Sequence, residues 1–168
     1  MRDYFKENIQ EALDATNYRM EEMSPLESIF FRQKVSEKFA DGRDYSSLFW
    51  EAVATTGKGF SIRSDESWKW LDDFLEYKEY ILFFEKSDDS TIYIFPEKQS
   101  IVKFLHEFPI NVLYITNDYL DYFISFNDSD YLHCIGTAES WLKTKALELS
   151  KTGWRDMDGK SYLHLELS

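Results

Sequence analysis

The sequence predicts an α+β fold with a mostly antiparallel sheet, a meander in its second half, N-terminal helices, and helices packed on one face. Helical spacing of apolar residues dominates up to about residue 58, and short strand-like runs separated by turn residues follow. Repeated β-α-β units are absent, which favours antiparallel pairing. The 168 residues suffice for one self-supporting core. We therefore predict a single domain, 1–168, with a helical N-terminal part (1–58) and a sheet-containing body (59–168).

Two helices are predicted at the start of the N-terminal part. In the first, Phe5, Ile9 and Leu13 recur at helical spacing. The second begins at Ser24-Pro25-Leu26-Glu27. Its serine can accept a backbone N–H, its proline fits the first turn, and its glutamate can complete a capping box.

The second helix carries large apolar residues on two sides. One side has Leu26, Ile29 and Phe30, and the other has Phe31, Val35 and Phe39. A helix buries an apolar side only by packing it against something. The pattern therefore predicts two packing neighbours for this helix.

Four further helices complete the prediction. Each has a capping residue at its start or a glycine or proline at its end. Their expected limits are Asp44 and Gly57, Ser64 or Asp65 and Leu75, Ile101 and Pro109, and Thr137 and Gly153.

Short strands are predicted along the body. Phe60 and Ile62 alternate with polar neighbours, as in a half-buried strand. Apolar runs then recur between segments rich in Asp, Asn and Ser, which favour turns; they cover 80–85, 91–95, 112–116, 122–126 and 131–136. The links 117–118 and 127–130 are short, so the last three runs predict an antiparallel meander. Alternating leucines in 163–167 predict a final strand.

Charge and cysteine content exclude several classes of protein. Lys and Arg number 19 against 31 Asp and Glu, a net charge of −12, so binding to nucleic acid by phosphate neutralisation is not expected. The single cysteine, Cys134, excludes an internal disulfide framework.

The charged N-terminal residues do not form a signal peptide, and no run has the roughly 18 apolar residues of a membrane span. We expect a cytoplasmic protein.

The chemistry-bearing residues form no catalytic, cofactor or metal motif. His133 and Cys134 are adjacent in a predicted strand, so their side chains point to opposite faces and cannot share a metal. In the acidic segment 156–159, a calcium loop would put Trp154 and Leu165 at positions that need oxygen ligands. Segment 56–59 has two glycines but lacks the spacing of a phosphate-binding loop. We therefore predict no metal, no cofactor and no enzymatic activity.

Aromatic residues beside acids are the remaining signal. Aromatics make up 18% of the chain, and many flank aspartates in predicted turns. Tyr and Trp anchor protein interfaces, and surrounding acids would attract a cationic partner. The candidate partner contacts are Asp118, Tyr119, Asp121, Asp128, Asp130 and Tyr131, followed by Asp88, Asp89 and Trp154.

The plan of segment 64–149 resembles the small acidic immunity proteins of bacterial polymorphic-toxin systems. It has helices first, then an antiparallel sheet ending in 122–127 and 131–136, then a tryptophan-bearing helix. The immunity proteins of this kind include those of contact-dependent growth inhibition systems and, in broader plan, the SUKH superfamily. The resemblance implies a protein without catalytic residues that binds a cognate toxin domain with a basic surface, often a nuclease, and blocks it.

Two other functions remain open at this stage. A non-catalytic adaptor or small-ligand-binding module would hold its ligand among Tyr and Trp side chains in a sheet-lined cavity. An enzyme could use a pair of acids, since among 31 acids some pair will lie at a suitable separation. Two carboxylates converging on one concave site would favour catalysis. The sequence leaves the oligomeric state open.

Overall fold

One antiparallel sheet organises the molecule. In the computed structural model, which describes residues 3–43, 48–75, 78–108 and 112–167, seven strands pair in the order β1-β4-β3-β5-β6-β7-β2. The strands are β1 (Glu21–Glu22), β2 (Phe60–Arg63), β3 (Tyr80–Phe83), β4 (Ile92–Phe95), β5 (Leu113–Thr116), β6 (Tyr122–Phe126) and β7 (Tyr131–Gly136). The helices are α1 (Tyr4–Thr16), α2 (Pro25–Phe39), α3 (Phe49–Ala54), α4 (Leu71–Leu75), α5 (Ile101–Glu107) and α6 (Thr137–Lys151).

The predicted fold class is confirmed. Each described strand pairing is antiparallel, β5, β6 and β7 form the expected meander, and β3 and β4 form a hairpin. The two-residue strand β1 was not predicted. It extends the sheet at β4, so the division at residue 58 marks a change of secondary structure rather than a break in packing.

Helices cover both faces of the sheet. Along β3, Tyr80 and Leu82 face a core that also contains side chains of α1, α4, α5 and α6. Ile81 and Phe83 face the opposite core, against α2 and α3. The expectation of helices on one face therefore needs correction. The central strands carry apolar side chains on both sides, and each side requires cover.

The start of α2 forms as predicted. The Ser24 hydroxyl accepts from the Glu27 backbone N–H at 3.1 Å, and the Ser24 N–H donates to the Glu27 carboxylate at 3.2 Å. This capping box satisfies two backbone donors that would otherwise be unpaired at the helix start. The predicted cap Asp44 and the predicted stop Pro109 lie outside the described residues.

The predicted C-terminal strand is wrong. Residues Leu163–Leu167 form a 3₁₀ helix packed against α6. Buried Tyr162 sets this direction, because its hydroxyl donates to Asp156 at 2.5 Å and its N–H donates to the Ser150 hydroxyl at 2.9 Å. Both bonds fix Tyr162 between α6 and the 156–160 turn, and the residues after it continue as a 3₁₀ helix against α6.

The helix predicted from Ser64 begins later and in a different form. A 3₁₀ helix spans Ser67–Trp70 and continues into α4. The Ser64 hydroxyl accepts from the Glu66 N–H at 3.2 Å, and the Ser67 hydroxyl donates to the Ser64 carbonyl at 2.8 Å. These local bonds compete with regular α-helical pairing.

His133 and Cys134 lie on opposite faces of β7, as predicted. The His133 Nε2 donates to the Lys58 carbonyl at 2.8 Å, and its other ring nitrogen bonds the Ser61 hydroxyl across the pairing with β2. Cys134 is fully buried, and that burial raises the pKa of its thiol. His133 therefore links β7 to β2 and the residues before it, and Cys134 packs in the core.

A glycine joins β7 to α6. Gly136 has a φ of +72°, and a Cβ there would lie 2.2 Å from the Asp121 carbonyl oxygen. Backbone oxygen cannot move aside without displacing the β5–β6 turn, so this position excludes any side chain.

We predict that Gly136→Ala destabilises the protein by about 3 kcal/mol, from backbone strain plus steric overlap. Gly57→Ala is the matched control, because Gly57 has the same φ of +72° with open space around its Cβ position. The control should cost about 1 kcal/mol. Urea denaturation measures both, and equal losses would show that the contact with Asp121 is unimportant.

Candidate functional site

The acidic turns lie at two opposite ends of the sheet. β3 and β6 both run antiparallel to β5, so their C-terminal ends lie at the same end. The β3–β4 turn and the β6–β7 turn therefore lie together, while the β5–β6 turn lies at the other end. The candidate contacts consequently form two groups rather than one site.

The β5–β6 turn holds one group, Asp118, Tyr119 and Asp121. Tyr119 is 83% exposed. The Asp121 N–H donates to the Asn117 side-chain oxygen at 3.0 Å, and the Asn117 amide donates back to the Asp121 carboxylate at 3.0 Å. Leu120 has a φ of +54° and packs into the core beneath α2 and α3. The turn is thus tied at its base and presents an aromatic ring between two acids.

The other end holds Asp88, Asp128, Asp130 and Tyr131. Buried Asn127 fixes the β6–β7 turn, accepting from the Ser129 N–H at 2.9 Å and the Tyr131 N–H at 3.1 Å. The Asp88 and Asp128 side chains are exposed. Both turns at this end therefore present acids to solvent.

Arg63 offsets part of that negative charge. Its guanidinium lies 5.6 Å from the centre of the Tyr131 ring and donates to Asp158 at 3.0 Å. Its Nε also donates to the Ser129 carbonyl at 3.1 Å. Asp88 and Asp128 are consequently the better placed of this group to meet a cation.

One predicted contact, Asp89, needs correction. Asp89 is buried, and its carboxylate accepts from the Thr91 N–H at 2.9 Å and from the Tyr93 hydroxyl. Both of its carboxylate oxygens are thus engaged within the β3–β4 turn. Trp154 is half-buried, with its ring 5.8 Å from that of Trp70 in an edge-on arrangement, so one side of the ring is used for packing.

The outer side of α2 is an exposed apolar surface outside the predicted partner contacts. Leu26, Ile29 and Phe30 are 61%, 55% and 54% exposed. The sequence pattern showed the apolar side but assigned it a neighbour within the chain. Among the described residues, the packed side of α2 is the opposite one, with Phe31, Val35 and Phe39.

A buried polar network fixes α2 and α3 to the sheet. Arg32 donates from its two terminal nitrogens to the Phe84 carbonyl at 3.0 Å and the Asp89 carbonyl at 3.1 Å. Glu85 is 6% exposed and accepts from the Phe49 N–H at 2.9 Å and from the Tyr114 hydroxyl. Burial raises the pKa of Glu85, although these two bonds and the Arg32 charge oppose the rise.

This network does not form a catalytic acid pair. The oxygens of Glu85 are engaged with backbone and tyrosine donors, and Asp89 is bonded within its own turn. Neither carboxylate lines the open cleft of about 610 Å³ between α1, the Ser67–Trp70 segment and α5. Among the described residues, its lining includes one carboxylate, Glu107, beside Lys69, Lys103 and His106.

Within the described part of the chain, no group of three or more His, Cys, Asp or Glu side chains is placed to hold a metal ion. None of its helices combines the length and apolar composition needed to cross a bilayer.

No protein family, curated protein or solved structure gives a significant match to this sequence or fold.

We predict that Glu85→Ala lowers the free energy of unfolding by about 3 kcal/mol, because it leaves Tyr114, the Phe49 N–H and partly buried Arg32 without their anion. Asp88→Ala, an exposed acid three residues later, is the control and should change stability by less than about 0.5 kcal/mol. Chemical denaturation measures both. Similar values for the two variants would contradict a stabilising role for the network.

Proposed function

We propose that this protein is a cytoplasmic immunity protein that binds a cationic toxin domain and neutralises it by stoichiometric docking. The observation that carries the proposal is the β5–β6 turn, where the exposed Tyr119 ring stands between Asp118 and Asp121 on a chain of net charge −12. The resemblance of segment 64–149 to acidic immunity proteins supports the same class of partner.

The chemistry of these turns suits recognition of a basic surface. Exposed acids speed the encounter with a cationic protein, toward roughly 10⁸–10⁹ M⁻¹s⁻¹ at low salt. An exposed tyrosine supplies contact area at modest entropic cost. The side-chain bonds of Asn117 and Asn127 already order both turns, so little further ordering is required on binding.

One observation favours the second candidate, a small-ligand-binding module. The cleft of about 610 Å³ has Trp68 and Val102 as apolar lining and Lys69, Lys103 and His106 as cationic groups. Its lining comes from helical segments, in place of the sheet-lined cavity expected for such a module from the sequence. Such a cleft suits a small anionic ligand with an apolar part.

The neutralisation proposal predicts a specific protein partner. We expect the tagged protein, purified from cells that naturally make it, to carry a basic protein in a 1:1 complex. Expressed alone, a domain of that partner should arrest bacterial growth, and co-expression of this protein should restore it. An acidic partner, or a partner without effect on growth, would contradict the proposal. Turnover of a metabolite by the purified protein would instead support an enzyme.

We predict that reversing three exposed acids (Asp88→Lys, Asp118→Lys, Asp128→Lys) slows association with this partner about tenfold at low salt and flattens its salt dependence. The matched control reverses three exposed acids on α1 and α6 (Glu11→Lys, Asp14→Lys, Glu148→Lys), with the same change in net charge. Stopped-flow association rates distinguish the two. An equal or larger effect of the control would contradict the assignment to the turns.

A further inference from the structure

The outer face of α2 carries an apolar surface. The attraction proposed above, between the acidic turns and a cationic partner, does not involve this surface. We infer that Leu26, Ile29 and Phe30 form the desolvated anchor with which this protein holds its partner, seated in an apolar groove of a cationic protein. This inference rests on the proposed function and specifies where the contact lies. Electrostatic attraction acts over roughly 8 Å at physiological salt and does not by itself locate a contact, whereas apolar burial requires direct contact.

The three side chains form one continuous surface. They stand at positions i, i+3 and i+4, which places them together on one side of a helix. Each is more than half exposed, and together they face away from Phe31 and Val35, which pack on the sheet. Single exposed apolar residues are ordinary, but adjacent large ones on a rigid element mark a docking surface.

The helix that carries the anchor is held rigidly. Its first turn is closed by the Ser24 capping box, and Phe39 near its end stacks on Phe123 at 5.3 Å. Between them, Arg32 joins α2 to the carbonyls of the β3–β4 turn. Binding through this face therefore requires little ordering. Arg32, two residues after Phe30, ties the helix to the turn that contains exposed Asp88.

A second copy of the chain is the less favourable occupant. A stable dimer buries about 800 Å² on each partner, more than three half-exposed side chains can supply, so two copies would need further contacts between like-charged surfaces. Two molecules of net charge −12 also repel each other on approach. A partner of opposite charge adds attraction and polar contacts around the same anchor, in the manner of a helix bound in an apolar groove.

Site-specific photo-crosslinking tests this placement. A benzophenone amino acid replaces Phe30, Tyr119 or Leu163 in the full chain, expressed in the cells that naturally make it. Leu163 is the control, as an exposed apolar residue on the C-terminal 3₁₀ helix. We expect position 30 to crosslink to a basic protein and position 163 to give no such product.

Binding of the purified partner then measures the anchor. Leu26→Ala/Ile29→Ala/Phe30→Ala should weaken affinity at least 100-fold through faster dissociation, with the salt dependence of association unchanged. Met157→Ala/Leu163→Ala, two exposed apolar residues elsewhere, should change affinity less than threefold. Equal thermal midpoints of the three proteins establish that folding is intact.

Each other outcome separates the two proposals. Crosslinking at position 119 but not at 30, with a toxin still neutralised, would overturn the anchor and leave the immunity function standing. A basic partner that crosslinks at position 30 but does not arrest growth would support the anchor and contradict the proposal that the partner is a toxin. Crosslinking of the chain to itself at position 30, with a dimer by light scattering, would overturn the anchor as a contact for a cationic partner. The absence of a crosslink at both position 30 and position 119 would contradict both the anchor and the proposed immunity function.

Discussion

The structure depends on a sheet whose central strands are apolar on both faces. β3, β5 and β6 are buried along their whole lengths, with aromatic or aliphatic side chains directed to each side. A strand of this kind cannot face water, so a helical layer is required above and below it. The N-terminal helices α2 and α3 supply the second layer, and their position follows from this requirement.

Polar groups within the second layer determine where these helices lie. Apolar burial alone is non-directional and would allow α2 to slide over the sheet. Arg32 and Glu85 remove that freedom, because each bonds specific backbone groups of the β3–β4 turn or of α3. The apolar contacts therefore provide most of the stabilisation, and the buried charges provide registration between the layers.

Local chemistry made most of the sheet predictable. The β6–β7 turn follows from Asn127, whose side chain satisfies two backbone N–H groups within four residues, so nothing distant is needed to form it. The tail could not be predicted in this way. Leucines alternating over 163–167 are compatible with a strand or a 3₁₀ helix, and the choice was made by the contact of Tyr162 with Asp156.

The candidate site shows a related limit. Asp89 has the composition of a surface acid, and only the fold reveals that Tyr93 and Thr91 engage its carboxylate inside the turn. For α2, the two apolar sides follow from the spacing of its residues. Periodicity shows that a side is apolar but not whether the rest of the chain covers it, and the exposure of Leu26, Ile29 and Phe30 is visible only in the fold.

The buried thiol of Cys134 can report on local opening of the protein. Its side chain lies in the core between the sheet and helices α1, α4, α5 and α6, and it is inaccessible to reagents while that core is closed. Because the chain has no other cysteine, alkylation at this one position requires that core to open. When reclosing is faster than alkylation, the rate of thiol modification relative to that of an exposed thiol gives the free energy of this opening without an engineered probe.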